Sequence, residues 1–190
     1  NPVGNFVAIP MQLDLVELEG PRTGRTETLQ RFQLVPTFPL SLGKEWNLIN
    51  RVLLAAMSTP INEGFGDCIT YTRDSLRTCP SFPDALADPF APTRGFGDMA
   101  YVALASPKAP VRVEKTGAAA VWGVGGTAMF PTASDEVLGN GKYSAGPAAV
   151  AAYLGKTFTL GVLAQHWWSY AGADERADVA LTGVQYFLFY

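Results

Sequence analysis

The sequence predicts an all-β chain: an antiparallel transmembrane β-barrel of eight strands. Three observations predict it. Apolar residues alternate with small or polar ones at period two, in stretches of about ten residues bounded by turn chemistry. The 19 glycines and 14 prolines among 190 residues interrupt any long helix. Charged residues make up only 16% of the chain while hydrophobic ones reach 48%, against roughly 25% charged in an ordinary soluble domain. The length is that of one domain, residues 1–190.

In chain order, the alternation places strands at Asn5–Val16, Glu27–Thr37, Trp46–Met57, Phe96–Ser106, Ala119–Pro131, Ala145–Gly155, Thr157–Tyr170 and Ala180–Tyr190. Strands in globular domains usually run about five or six residues, whereas a tilted strand crossing a bilayer needs about 9 to 11. Phe158, Leu160, Val162, Ala164, Trp168 and Tyr170 share one face, opposite Thr159, Gly161 and Gln165. Val184, Tyr186, Leu188 and Tyr190 do the same in the last strand, opposite Gly183, Gln185, Phe187 and Phe189, and Arg31 and Gln33 stand opposite Phe32 and Leu34. The apolar face is broad and the polar one sparse.

A membrane helix does not explain the apolar composition. The longest charge-free stretch, Thr116 to Ser134, contains Gly117, Gly123, Gly125, Gly126 and Pro131, a poor helix by propensity. Asn1 to Asn5 lacks a basic segment followed by an apolar run, so the start reads as a mature or trimmed end. A net charge of −3 with 14 scattered Lys and Arg leaves no basic footprint, which argues against nucleic acid as a partner.

Two environments bury such an apolar face: the interior of a sandwich or small barrel, or the lipid around a transmembrane barrel. The connections alternate long and short, as they do in bacterial outer-membrane barrels. The longest, residues 58–95, is expected to lie outside the cell and holds Cys68 and Cys79. These two allow a single internal pairing. A disulfide is expected, and with it an oxidising compartment; a zinc site is disfavoured because His166 is the only histidine. Trp46, Phe96, Tyr101, Phe130, Tyr153, Phe158, Trp167, Trp168, Tyr170, Phe189 and Tyr190 collect near strand ends, where interfacial girdles form.

Several blocks resemble a known family. They include Gly95-Phe96-Gly97-Asp98, Trp122-Gly123-Val124-Gly125 and Pro131-Thr132-Ala133-Ser134-Asp135, then Leu138-Gly139-Asn140-Gly141-Lys142-Tyr143-Ser144-Ala145-Gly146-Pro147. With His166-Trp167-Trp168-Ser169-Tyr170-Ala171-Gly172, Asp174-Glu175-Arg176-Ala177-Asp178-Val179 and Trp46-Asn47-Leu48-Ile49-Asn50-Arg51, the chain resembles the transporter-like outer-membrane family named for the MetA pathway of phenol degradation. Residues 60–93, with the cysteines, depart from that pattern. The resemblance implies a barrel in the outer membrane of a Gram-negative bacterium, with a role in uptake of aromatic or other hydrophobic compounds. Family members continue past the position of Tyr190 with further strands, so it also implies a fragment of a larger barrel. Against this, the aromatic-ended last strand resembles the terminal strand read by barrel-assembly machinery.

No motif supports catalysis. There is no Gly-x-Ser-x-Gly elbow, and His166 with Ser169 or Asp98 is outweighed by a histidine seated in an aromatic girdle. Gly123-Val124-Gly125-Gly126 lacks the Lys-Ser/Thr of a phosphate loop, so these glycines are expected to permit a strand kink or close packing. A substrate path must run along the inward polar set, and Arg31, Gln33, Arg51, Asp98, Gln165 and Gln185 are its candidates. An arginine facing lipid at the midplane costs about 2–4 kcal/mol, which favours inward placement. Arg31 and Arg51 with Asp98 are expected to form a constriction or a buried charge network. Asp135, Glu136, Lys142, Asp174, Glu175, Arg176 and Asp178 read as solvated loop charges or inter-loop salt bridges, with no calcium loop; lipopolysaccharide contact through divalent ions is a further expectation.

The sequence therefore points to a non-enzymatic outer-membrane barrel without a cofactor, passing small hydrophobic or aromatic solutes and surrounded by membrane lipid. The alternatives are a non-conducting structural or surface-contact barrel and a soluble sandwich or lipocalin-like binding module.

Overall fold

The computed structural model describes residues 7–19, 26–68, 78–113 and 117–190. It contains β1 (Met11–Leu18), β2 (Glu27–Leu34), β3 (Thr37–Leu42), β4 (Trp46–Thr59), a short helix α1 (Phe82–Ala87), β5 (Thr93–Phe96), β6 (Met99–Pro107), β7 (Val111–Val113), β8 (Ala118–Phe130), β9 (Lys142–Leu154), β10 (Thr159–Gly172) and β11 (Ala180–Phe189). All pairings are antiparallel and join one curled sheet in the order β1-β2-β4-β6-β8-β9-β10-β11. The outermost members, β1 and β11, do not pair with each other, so the sheet is a half-barrel.

Each of the eight expected strands has a counterpart, and two are broken. β2 and β3 run along successive halves of β4, β2 against Leu54 to Ser58 and β3 against Trp46 to Arg51. The break falls at Val35-Pro36, because proline has no N–H to offer a ladder. β5 and β6 share the other side of β4 in the same way, broken at Gly97-Asp98. Pairing therefore resumes at Thr93, and the connection that holds the cysteines is shorter than 58–95. β7 extends the β6 arm of the hairpin with β8, and α1, with Pro83 in its first turn, lies inside that connection; neither was expected. The first six residues of the chain, including the predicted beginning of the first strand at Asn5, lie outside the described residues.

Connection lengths separate the two ends of the sheet. The strand ends that flank 19–26, 60–92, 131–141 and 173–179 gather at one end; those that flank 43–45, 114–117 and 155–158 gather at the other. The first short turn needs a left-handed residue, which Gly43 supplies at φ +70°. Cys68 and Cys79 form the expected disulfide inside connection 60–92.

The register assigns each side chain to a face. Leu160, Leu188, Val184 and Tyr186 stand on the convex side and are about half exposed or more (49, 67, 50 and 76%). Val162 shares that side, paired with Tyr186. Outward positions of β4, β6, β8, β9, β10 and β11 carry no charged residue. The polar Asn50 there is buried and accepts a hydrogen bond from the Tyr101 hydroxyl.

Aromatic rings border this charge-free band at both ends. Near the short turns Trp46 meets Trp122 edge-on at 5.9 Å and Tyr153 meets Phe158 at 5.8 Å. Near the long connections Phe130, Tyr143 and Tyr170 form a chain with 6.4 Å between successive rings, and Phe96, paired with Ala56 toward the same end, is exposed. Trp122 to Phe130 along β8 is about 26 Å at the usual strand rise. Two of the expected girdle residues face inward instead: Trp167 is buried on the concave face and Phe189 packs against Phe187 on that same face. Tyr101 lies level with Ala128, two residues inside the Phe130 border.

On the concave face the half nearer the short turns is filled by Val102, Leu104, Ala148 and Leu163, packed with Ile49 and Val150. Gly161 makes room for an aromatic ring on this face: a Cβ there would fall 2.1 Å from the Phe187 ring.

Candidate functional site

The other half of the concave face holds a cavity of about 450 Å³. Arg31, Gln33, Arg51, Asp98, Gln165 and Gln185 all line it. They come from β2, β4, the β5–β6 break, β10 and β11; period-two alternation turns the five strand residues inward, and Asp98 enters from the break. Cavities that hold small molecules usually measure about 300–1,000 Å³.

The charges do not form the expected network. Arg31 sits directly opposite Asp14 across the β1–β2 ladder, and its guanidinium holds that carboxylate at 2.8–2.9 Å, a cross-strand pair of the ordinary kind. Arg51 reaches across the cavity from β4 and donates to Gln185 Oε1 on β11 at 3.0 Å. Asp98 contacts neither arginine. Its two oxygens accept the backbone N–H groups of Ala133 (3.2 Å) and Asn140 (2.7 Å), which fastens connection 131–141 over the cavity.

That connection continues the strand-edge pattern with Ser134 and Thr132. Ser134 N–H donates to Phe96 O, while its hydroxyl accepts from Phe96 N–H at 2.9 Å; the Thr132 hydroxyl accepts from Met99 N–H at 2.9 Å. Val137, Leu138, Gly139 and Asn140 then roof the cavity. Arg176 ties the roof to connection 173–179 by donating to Glu136 O at 2.6 Å and pairing with the Glu136 carboxylate at 3.6 Å. Lys142 and Asp178 pair at 3.6 Å. The loop charges are thus partly inter-loop salt bridges, and among the described residues no cluster suited to a metal ion occurs.

Replacing Asp98 by alanine should cost about 3 kcal/mol, the low end for losing two hydrogen bonds to a charged group at about 1.5–3 kcal/mol each, because Asp98 is only half-buried. Amide exchange at Ala133 and Asn140 is expected to accelerate selectively. Unchanged protection there would remove Asp98 from the role of anchor.

Sequence reasoning missed several members of the cavity wall. Trp167 lines it, 7% exposed, with its indole Nε1 buried and unpartnered among the described residues. Its parity with Gln165 was the available signal. Leu53, Met57 and Val102 supply apolar surface between the polar groups. His166, one position on, faces outward, stacks at 4.0 Å on Trp168 and shares a 2.6 Å hydrogen bond between its Nδ1 and the Thr182 hydroxyl. Neither Ser169 nor Asp98 is its hydrogen-bond partner. The Ser169 hydroxyl instead accepts from Val179 N–H at 3.0 Å and donates to Asp178.

Comparison with protein-family models, with curated proteins and with solved structures finds no match to this chain.

Proposed function

We propose that this chain forms the wall of an outer-membrane β-barrel that takes up small hydrophobic or aromatic compounds without chemical conversion. The observation that carries this reading is the division of the sheet: an outward face free of charge between two aromatic borders, and an inward face that gathers the polar side chains around a cavity. Acyl chains suit the first face and a solute the second. The unequal connections agree with short periplasmic turns and long external loops, and the disulfide agrees with the oxidising cell envelope. On this reading the partners are membrane lipid, lipopolysaccharide at the long-loop end, the solute, and the machinery that inserts barrels. The resemblance to the family named for the MetA pathway of phenol degradation supports the same assignment.

A closed, non-conducting barrel is the second reading. It is favoured by the apolar layer of Val102, Leu104 and Leu163 and by the Arg51–Gln185 bridge, which together obstruct a straight passage. A soluble module fits poorly, since its apolar faces would meet in a shared interior.

Two measurements separate the three. The purified chain should require detergent to remain dispersed; a stable monomer in plain buffer would overturn the membrane assignment. Reconstituted into liposomes, it should raise the flux of a small aromatic solute above that of empty vesicles. Membrane insertion with no added flux would leave the closed barrel.

A further inference from the structure

The cavity's charge balance specifies a ligand more closely than size alone. Three ionised side chains line it, and two are already satisfied. Arg31 is neutralised by Asp14, and both oxygens of Asp98 are occupied by backbone amides. Arg51 has no carboxylate within ion-pairing distance among the described residues; its hydrogen bond goes to the neutral amide of Gln185. A guanidinium carries five N–H donors, so most of its capacity stays open toward the cavity.

Neighbouring groups add to this surplus of donors. The Trp167 indole N–H, a donor only, is buried on the cavity wall with no acceptor. Gln165 lines the same space with its Oε1 unpartnered, and rotating that amide would present its NH2 instead. Leu53, Met57, Val102 and Leu138 make the remaining wall apolar.

We infer that the cavity binds an apolar monocarboxylate, of which benzoate is a small aromatic representative. Arg51 holds the carboxylate, the Trp167 indole N–H supplies a second donor, and the apolar wall takes the ring. The planar fork of an arginine matches a carboxylate in bidentate geometry. A single open cation suits one negative charge better than the two of a phosphate monoester. This inference rests on the uptake reading and narrows its solute from hydrophobic compounds in general to their acids.

Benzoate and benzyl alcohol share a ring and differ in charge, so they test it directly. With the full chain in nonionic detergent at neutral pH, calorimetric titration should show benzoate binding about tenfold or more tighter than benzyl alcohol, as expected for a hydrogen-bonded charge pair. Lys44→Gln, in the distant turn 43–45, should keep that ratio. Arg51→Met should bring the two ligands to within about twofold, Arg51→Lys should retain part of the preference through its charge, and Trp167→Phe should weaken benzoate severalfold. Equal affinities in the unaltered chain, which requires no variant to fold, would overturn the inference; so would an Arg51→Met chain that keeps the preference. The liposome assay separates this failure from that of the uptake reading. Flux of benzyl alcohol without benzoate preference would refute the acid specificity alone, and insertion with flux of neither would refute uptake.

Discussion

Arginine placed at Val124 is expected to destabilise the chain in lipid vesicles by about 1–2 kcal/mol, because Val124 lies two residues inside the Trp122 border, between the interface, where that side chain costs about 0–1 kcal/mol on the lipid face of a membrane barrel, and the midplane, where it costs about 2–4 kcal/mol. Val124 lies at the centre of β8, on the convex side, paired with Ala105 and Ala149. It is 52% exposed. If that exposure faced water, the same change would fall within about 0.5 kcal/mol, as surface substitutions away from special features usually do. The two environments therefore predict different shifts in the urea midpoint for unfolding from vesicles. A shift at the small end would remove the acyl chains from the outer face and the proposed location with them.

The neighbouring residue has the opposite requirement. A methyl group added at Gly125 would lie 1.9 Å from the carbonyl oxygen of Ala103 and 3.0 Å from Leu104 Cα. Both atoms belong to the backbone of β6, so relief means moving a strand rather than turning a side chain. Gly125→Ala is expected to cost about 3 kcal/mol, the upper end of what overpacking usually costs, with loss of pairing between β6 and β8. Gly126→Ala provides the contrast, because the nearest atom there is Gly146 O at 3.5 Å, an ordinary contact. It should be neutral or slightly stabilising through the unfolded state. Equal urea midpoints for the two variants would show that β6 does not approach Gly125 this closely.

These two residues also illustrate what period two makes legible. Alternation assigned Leu160, Val184 and Leu188 to one face and Gln165 and Gln185 to the other, and the inward set of six meets around one cavity. It also marked the glycine run as a place of close packing. What alternation cannot supply is a partner. Arg31 pairs with Asp14 because the β1–β2 register sets them opposite, and Asp98 turns to loop amides because a chain break at Gly97 releases it from the ladder. Register across a long connection is fixed by packing, which no local pattern encodes.

Trp167 shows a different limit. Read as an aromatic near a strand end, it belongs to a girdle; read by parity with Gln165, it belongs inside, where it lies. Composition and parity conflict at that residue, and parity prevails because a side chain cannot pass through its own sheet. The breaks in β2–β3 and β5–β6 were visible only as Pro36 and Gly97, single residues among many such punctuators. The openness of the sheet between β1 and β11 leaves no signal in the alternation; only the family resemblance, with its implied further strands, pointed that way.

The covalent cross-link joins two points of a single connection and no two strands. Thiol oxidation and wall assembly are accordingly independent events: a reducing environment would slacken the cap around α1 while every rung of the ladder persisted. The bond thus bears on the shape of that one connection and leaves the strand pairing to the backbone ladder.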